Sequence, residues 1–239
     1  MTNMAQAASE ADRWPERGLI VAVDGPSGSG KSSAARGAAA VLGLRYLDTG
    51  AMYRAVTWWM LEHRVDLSDA AEVVRQGTCL TIEVCTDPAL QRTIVDGADV
   101  TTAIRDRAVS NAVSVVASIP GIRAHLIGLQ QDIIARAAAA GGVVAEGRDI
   151  GTVVAPQAPL KVFLTASEQA RAERRSAELG AAADAGADLT RREQARRDRL
   201  DAPQTRQAGD AVEIDATDLS LAEVIDLIVG LARAKRVRS

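Results

Sequence analysis

The sequence predicts an α/β protein in three layers, with a parallel core sheet between helices, a helical lid and a small inserted β-containing subdomain. Three observations carry this. Leu19-Ile20-Val21-Ala22-Val23 is a short apolar, partly β-branched run, the pattern of a parallel strand buried on both faces. Directly after it stands Gly25-Pro26-Ser27-Gly28-Ser29-Gly30-Lys31-Ser32, a glycine, four residues, then Gly-Lys-Ser. Lys31 to Leu42 is Ala-rich and predicts a helix that stops at Gly43. Strand, glycine loop and helix in that order are the context of a phosphate-binding P-loop. Its glycines let successive N–H groups face one point, and the helix N-terminus adds partial positive charge. Lys31 would reach the β- and γ-phosphates of a nucleoside triphosphate, and the Ser32 hydroxyl would ligate Mg²⁺, with Ser33 next in the triphosphate site.

Further along, residues 45–48 predict a short strand and 51–62 an apolar helix, followed by a brief helix over 69–76. Leu80-Thr81-Ile82-Glu83-Val84 alternates, and Gln91-Arg92-Thr93-Ile94-Val95 follows a turn at Asp87-Pro88. They predict an antiparallel pair ending at Asp96-Gly97. A hairpin does not belong inside a parallel series, so residues 65–110 are set apart as an insert between core segments 18–64 and 111–234. Helices are predicted over 107–118 and 121–140, broken at Pro120. Residues 143–145 and 160–164 return to the sheet, and 212–214 is a last strand before an amphipathic helix over 221–234. Residues 235–239 are expected to be a solvated basic tail and 1–17 a loose one.

Bulk composition narrows the function. The 239 residues are 47% hydrophobic and 25% charged with a net charge of −3, which gives nucleic acid no basic footprint. Aromatic residues at 3% are too scarce for base-stacking platforms. No apolar run approaches the ~18–20 residues of a membrane span, and the first 17 residues lack a secretory core segment. Cys79 and Cys85 fit neither a metal site nor a disulfide framework and are expected to be reduced, packed thiols. A cytoplasmic, monomeric enzyme fits these features. His63 and His125 have no ligand cluster around them, and Trp58 and Trp59 are expected in the core.

Leu47-Asp48-Thr49-Gly50-Ala51-Met52-Tyr53-Arg54 joins a strand end to a helix N-terminus, with a tyrosine and an arginine one turn in. Asp48 and Thr49 suit polar edges of a base or sugar and Arg54 an acceptor phosphate; a plain capped helix is the competing reading. Together with the P-loop, this segment resembles bacterial cytidylate kinases. Glu146-Gly147-Arg148-Asp149-Ile150-Gly151-Thr152-Val153-Val154 is similar to a second signature of that family. Leu160-Lys161-Val162-Phe163-Leu164-Thr165-Ala166, Ser110 to Ala117 and Arg123 match as well. The resemblance runs in unbroken order from about residue 19 to 234 and implies transfer of the ATP γ-phosphoryl group to CMP or dCMP. It implies that Asp48, Thr49, Tyr53 and Arg54 contact the acceptor, that Ser114, Arg148 and Asp149 hold its cytosine or sugar, and that Arg123 holds its phosphate. It also makes 65–110 the monophosphate-binding insert and leaves UMP or a small alcohol as rival acceptors. A nucleotide-dependent switch is the rival from another class, and the missing Asn-Lys-x-Asp tetrapeptide argues against its GTPase form.

Transfer between two nucleotides gathers much negative charge, so arginines acquire a role. Arg171, Arg174 and Arg175, then Arg192, Arg196, Arg197 and Arg199, flank a low-complexity stretch over 180–188 and predict a mobile lid at 171–206. Arg148 and Arg197 are the arginines assigned to catalysis beside Lys31. Arg197, Asp198 and Asp201 follow the family pattern at the lid's end, and Asp201 is placed with the acceptor site. Ala202 and Gln204 depart from it, where Ser and Arg are expected. Either Arg206 substitutes or a phosphate contact is missing. Glu146 is either an acidic residue near the water shell of Mg²⁺ or a structural hydrogen-bond acceptor.

Overall fold

A computed structural model describes residues 18–179 and 187–236. The expected N-terminal tail, most of the 180–188 stretch and the last three residues lie outside them.

Five strands form one parallel sheet: β1 (Leu19–Asp24), β2 (Arg45–Asp48), β6 (Gly142–Gly147), β7 (Leu160–Thr165) and β8 (Val212–Asp215). Their spatial order is β2-β6-β1-β7-β8. In β1, Leu19, Val21 and Val23 face one apolar layer while Ile20 and Ala22 face the other. That is why the run lacks polar alternation. One layer is closed by α1 (Lys31–Leu42) and α8 (Leu221–Arg236), the other by α2 (Thr49–Glu62), α4 (Arg107–Ser118) and α5 (Pro120–Ala139). Pro120 is the first residue of α5, where its missing N–H costs nothing, so the predicted break is also a start. The three-layer expectation holds.

Between α2 and α4 lie α3 (Ala70–Gly77) and an antiparallel sheet of β3 (Ile82–Val84), β4 (Thr93–Val95) and β5 (Ala98–Asp99). The sequence predicted a pair. The third strand arises because Asp96-Gly97, with both φ positive, folds the chain back onto β4. Past β7 run α6 (Glu168–Leu179) and α7 (Ala187–Asp201), the latter absorbing two residues of the stretch expected to be mobile. Lys235 and Arg236 likewise continue α8. The cysteines correct an expectation. Cys79 is exposed and Cys85 half-buried, and neither joins a core, although Leu80 beside Cys79 is in one and Val84 beside Cys85 packs against it. Trp58 and Trp59 are half-buried against the core, and His63 stacks on Trp59 with centroids 3.7 Å apart. Among the described residues no single helix is long and apolar enough to cross a membrane.

Candidate active site

β1, β2 and β6 all end at the same edge of the sheet, so the segments leaving them meet there. They enclose a cavity of about 510 Å³. One wall is Ser27, Gly28, Gly30, Lys31, Ser32 and Ser33; the other includes Asp48, Thr49, Tyr53, Arg54, Ser114, Arg123, Arg148 and Asp149. Arg197 and Asp201 of α7 complete it. Of the residues singled out in the sequence, Gly25, Pro26 and Ser29 do not line it. They build the loop instead: Gly25 brings the backbone against β7, where a Cβ would sit 2.1 Å from the Leu164 carbonyl oxygen. Gly28, at φ +76, lies under α6 and α7, and a Cβ there would meet Gln194 and the Arg171 backbone at about 3 Å.

The first contacts of α6 and α7 are with the loop rather than the cavity. Arg171 donates to the Ser27 carbonyl (3.0 Å) and pairs with Asp198; Gln194 donates to the same carbonyl (3.1 Å). Arg174 donates to the carbonyls of Ser29 and Ala216. Arg192, Arg196 and Arg199 are exposed. Arg197 alone among the described arginines of α6 and α7 lines the cavity.

On the other wall, Asp48 accepts from the Ala51 N–H (3.0 Å), capping α2, and pairs with Arg105 at 2.6 Å. Capping and site contact are therefore compatible. Thr49 donates to the Glu146 carbonyl (2.6 Å). Arg54, buried, donates to the Ile104 carbonyl and the Ser110 hydroxyl. Arg123 pairs with Asp149. Arg148 grips Asp201 through Nε and Nη2 (3.2 and 3.1 Å) and donates through Nη1 to the Gly25 carbonyl (3.1 Å). The Ser114 hydroxyl is buried with no hydrogen-bond partner, a polar group held in the cavity wall for something else to satisfy.

Burial and the neighbouring Arg148 hold Lys31 well below the ordinary lysine value, while Glu146 opposes this. Its ammonium donates to the Pro26 carbonyl (3.1 Å). Burial, then Asp48, pushes the Glu146 carboxyl above its usual range; Tyr46 donates to it at 2.9 Å. Burial pushes the Tyr53 phenol up to about 12. Six arginines and Lys31 line the cavity against four carboxylates, Asp48, Glu146, Asp149 and Asp201, so it suits a ligand rich in phosphate.

Sequence reasoning passed over Arg36, Gln91 and Arg105, which also line the cavity. Arg36 was within reach, since it lies one helical turn beyond Ser32 on the same face of α1. Just past α7, Gln204 lines the cavity, whereas Arg206 is exposed and does not.

A P-loop facing a polar, basic pocket, under helices that touch both, is the arrangement of a P-loop kinase. Comparison with known proteins narrows the class. A family model described as cytidylate kinase matches residues 21–234. The cytidylate kinase of Streptomyces griseus is 48% identical over 92% of this chain and 94% of its own length. That of Streptomyces coelicolor is 50% identical over 91% and 94%. That of Mycobacterium avium is 46% identical over 91% and 96%. The chain belongs to the cytidylate kinase family.

Proposed function

We propose that the protein transfers the γ-phosphoryl group of ATP to CMP and dCMP, with donor and acceptor held on opposite walls of the one cavity. That shared cavity, basic in balance and carrying the unsatisfied Ser114 hydroxyl, is the observation behind the assignment. The P-loop amides and Lys31 receive the donor phosphates. Arg54 and Arg123 take the acceptor phosphate. Asp149 accepts from the cytosine amino group, while Arg148 and Ser114 donate to the base or sugar, with Asp48, Thr49, Tyr53 and Asp201 shaping the pocket around them. Arg197 and Arg148 spread positive charge over the transferring group, whose transition state needs alignment and neutralisation more than covalent help.

The residues present fit a magnesium ion. The Ser32 hydroxyl stands at the start of α1, Glu146 and Asp48 line the same cavity, and no cluster of three or more His, Cys or acidic residues occurs among the described residues. An ion there would take most of its ligands from phosphate and water, as Mg²⁺ does with nucleotides. Bound, it would neutralise phosphate charge. Residues 65–110 act as the acceptor-binding insert and 171–206 as the lid that keeps water from the phosphates. The substrates are small molecules, and we place the enzyme in the cytoplasm as a monomer without a nucleic-acid or membrane partner.

A coupled assay with ATP-Mg²⁺ and a panel of CMP, dCMP, UMP, AMP and GMP tests this. ADP should form rapidly with CMP and dCMP and far more slowly with the purine nucleotides. No acceptor-dependent ADP with any of the five would reject the assignment.

A further inference from the structure

Asp24 is a buried carboxylate for which neither the triphosphate loop nor the acceptor pocket has a direct use. It is 4% exposed, ends the central strand β1 and does not line the cavity. Its two oxygens accept from two successive amides 126 and 127 residues away, Ile150 N–H at 2.8 Å and Gly151 N–H at 2.7 Å. Those amides open a five-residue π-helical turn, Ile150–Val154, whose own bonds begin with Val153 N–H to the Asp149 carbonyl. The carboxylate therefore supplies acceptors that the turn cannot supply for its first N–H groups.

Position gives this a purpose. Asp24 is bonded covalently to Gly25, the first residue of the donor loop. The amides it holds follow directly on Arg148-Asp149, the acceptor segment. Register reinforces the link, because Asp24 lies opposite Gly147 in the β1–β6 ladder. Arg148 closes a second tie to the Gly25 carbonyl. Around the carboxylate stand Lys31, which favours its charge, and Asp149, which opposes it; the Lys161 stem packs on Gly151 beside it. We propose that Asp24 is a positioning residue that fixes the acceptor segment to the donor loop, so that the two nucleotides meet in line. In-line transfer needs donor and acceptor held within roughly 0.5 Å of the productive geometry. A bidentate bond between the two segments is a direct way to hold them so.

The inference rests on reading Arg148 and Asp149 as acceptor contacts, so the test carries Asp149→Ala alongside. Asp24→Asn keeps the shape but sets an amide N–H where one oxygen accepted. The donor loop keeps its other ties through Arg171, Gln194 and Arg174. The KM for CMP should rise by roughly tenfold, as loss of one hydrogen bond to a charged group implies, while the KM for ATP stays within about twofold. Gly151→Ala crowds the same junction without removing the carboxylate, since its Cβ would lie 3.1 Å from Lys161 Cδ and 3.3 Å from Asp24 Oδ2. It should raise the CMP KM in the same direction by a smaller factor, and it serves if Asp24→Asn does not fold. Equal rises for both nucleotides, or none, in the variants at 24 and 151 would overturn the inference. If Asp149→Ala raises the CMP KM and they do not, Asp24 alone is misassigned. If Asp149→Ala also leaves it unchanged, the acceptor reading and this inference fall together.

Discussion

Asp24→Asn should change how stability depends on pH, and the structure sets the size of the change. Burial pushes the Asp24 carboxyl from its ordinary 3.8 up to about 6; the Gly151 and Ile150 N–H bonds pull it down, Asp149 pushes it up and Lys31 pulls it down. The sign is opposite to that of most paired carboxylates. Between 3.8 and about 6 the folded protein binds this proton more tightly than the unfolded chain, so stability falls as pH rises. The contribution is fully present below 3.8 and gone above about 6. At 1.36 kcal/mol per pH unit, the whole gap amounts to about 3 kcal/mol. The asparagine that replaces Asp24 has no such proton to lose. Urea unfolding of both proteins from pH 4 to 6.5 would measure it, read as the difference between them so that other titrating groups cancel. Relative to the variant, the wild type should lose about 2 kcal/mol across that range. A constant offset, from the hydrogen bond the variant lacks, is expected on top. A difference that stays flat, or that moves in favour of the wild type as pH rises, would refute the reasoning.

Two further variants probe the loop and the lid. Gly25→Ala should cost more than ~2 kcal/mol, a fall in Tm of roughly 4–8 °C, because its Cβ would collide with the Leu164 carbonyl at a φ of +154. An unchanged melting curve would mean that the loop does not press on β7. Glu193 on α7 accepts from Arg107 and Asn111 on α4, joining the proposed lid to the helix on the proposed acceptor side. Both charged partners are partly exposed, so Glu193→Ala should leave Tm within ~2 °C. The ratio of ADP to CDP formed should nevertheless climb above one as water reaches the phosphates, and a ratio held at one would show that the bridge does not help close the site.

The parts of the site that a sequence displays are those written in consecutive residues. The P-loop, Asp48 to Arg54 and Arg148-Asp149 each lie on one strand end, and the structure gathers nearly all of them around one cavity. What stayed hidden is long-range. The bond from Asp24 to Gly151 spans 127 residues, and the grip of Arg148 on Asp201 spans 53. No periodicity announces either. Arg105 and Gln91 both lie in the small insert, whose two- and three-residue strands are too short for an alternating pattern to show which side chains turn toward the site. The π-helical turn escaped notice because its first amides are satisfied by a side chain from another strand, while local capping signals look only to neighbours. The arginines of α6 were legible as a lid but not by target. Their charge suggests phosphate, whereas Arg171 divides its donors between the Ser27 carbonyl and Asp198, and Arg174 between the carbonyls of Ser29 and Ala216.

That last feature ties two equilibria together. A loop that turns its amides toward an anion must turn some carbonyls away, and those of Ser27 and Ser29 are met by Arg171, Gln194 and Arg174. Were α6 and α7 to move away as the proposed lid, water would have to replace these donors, and the loop would lose part of its fixed shape. Such a closure and triphosphate affinity would share one coupling free energy: whatever factor the closed form added to ATP binding, ATP would return to closure.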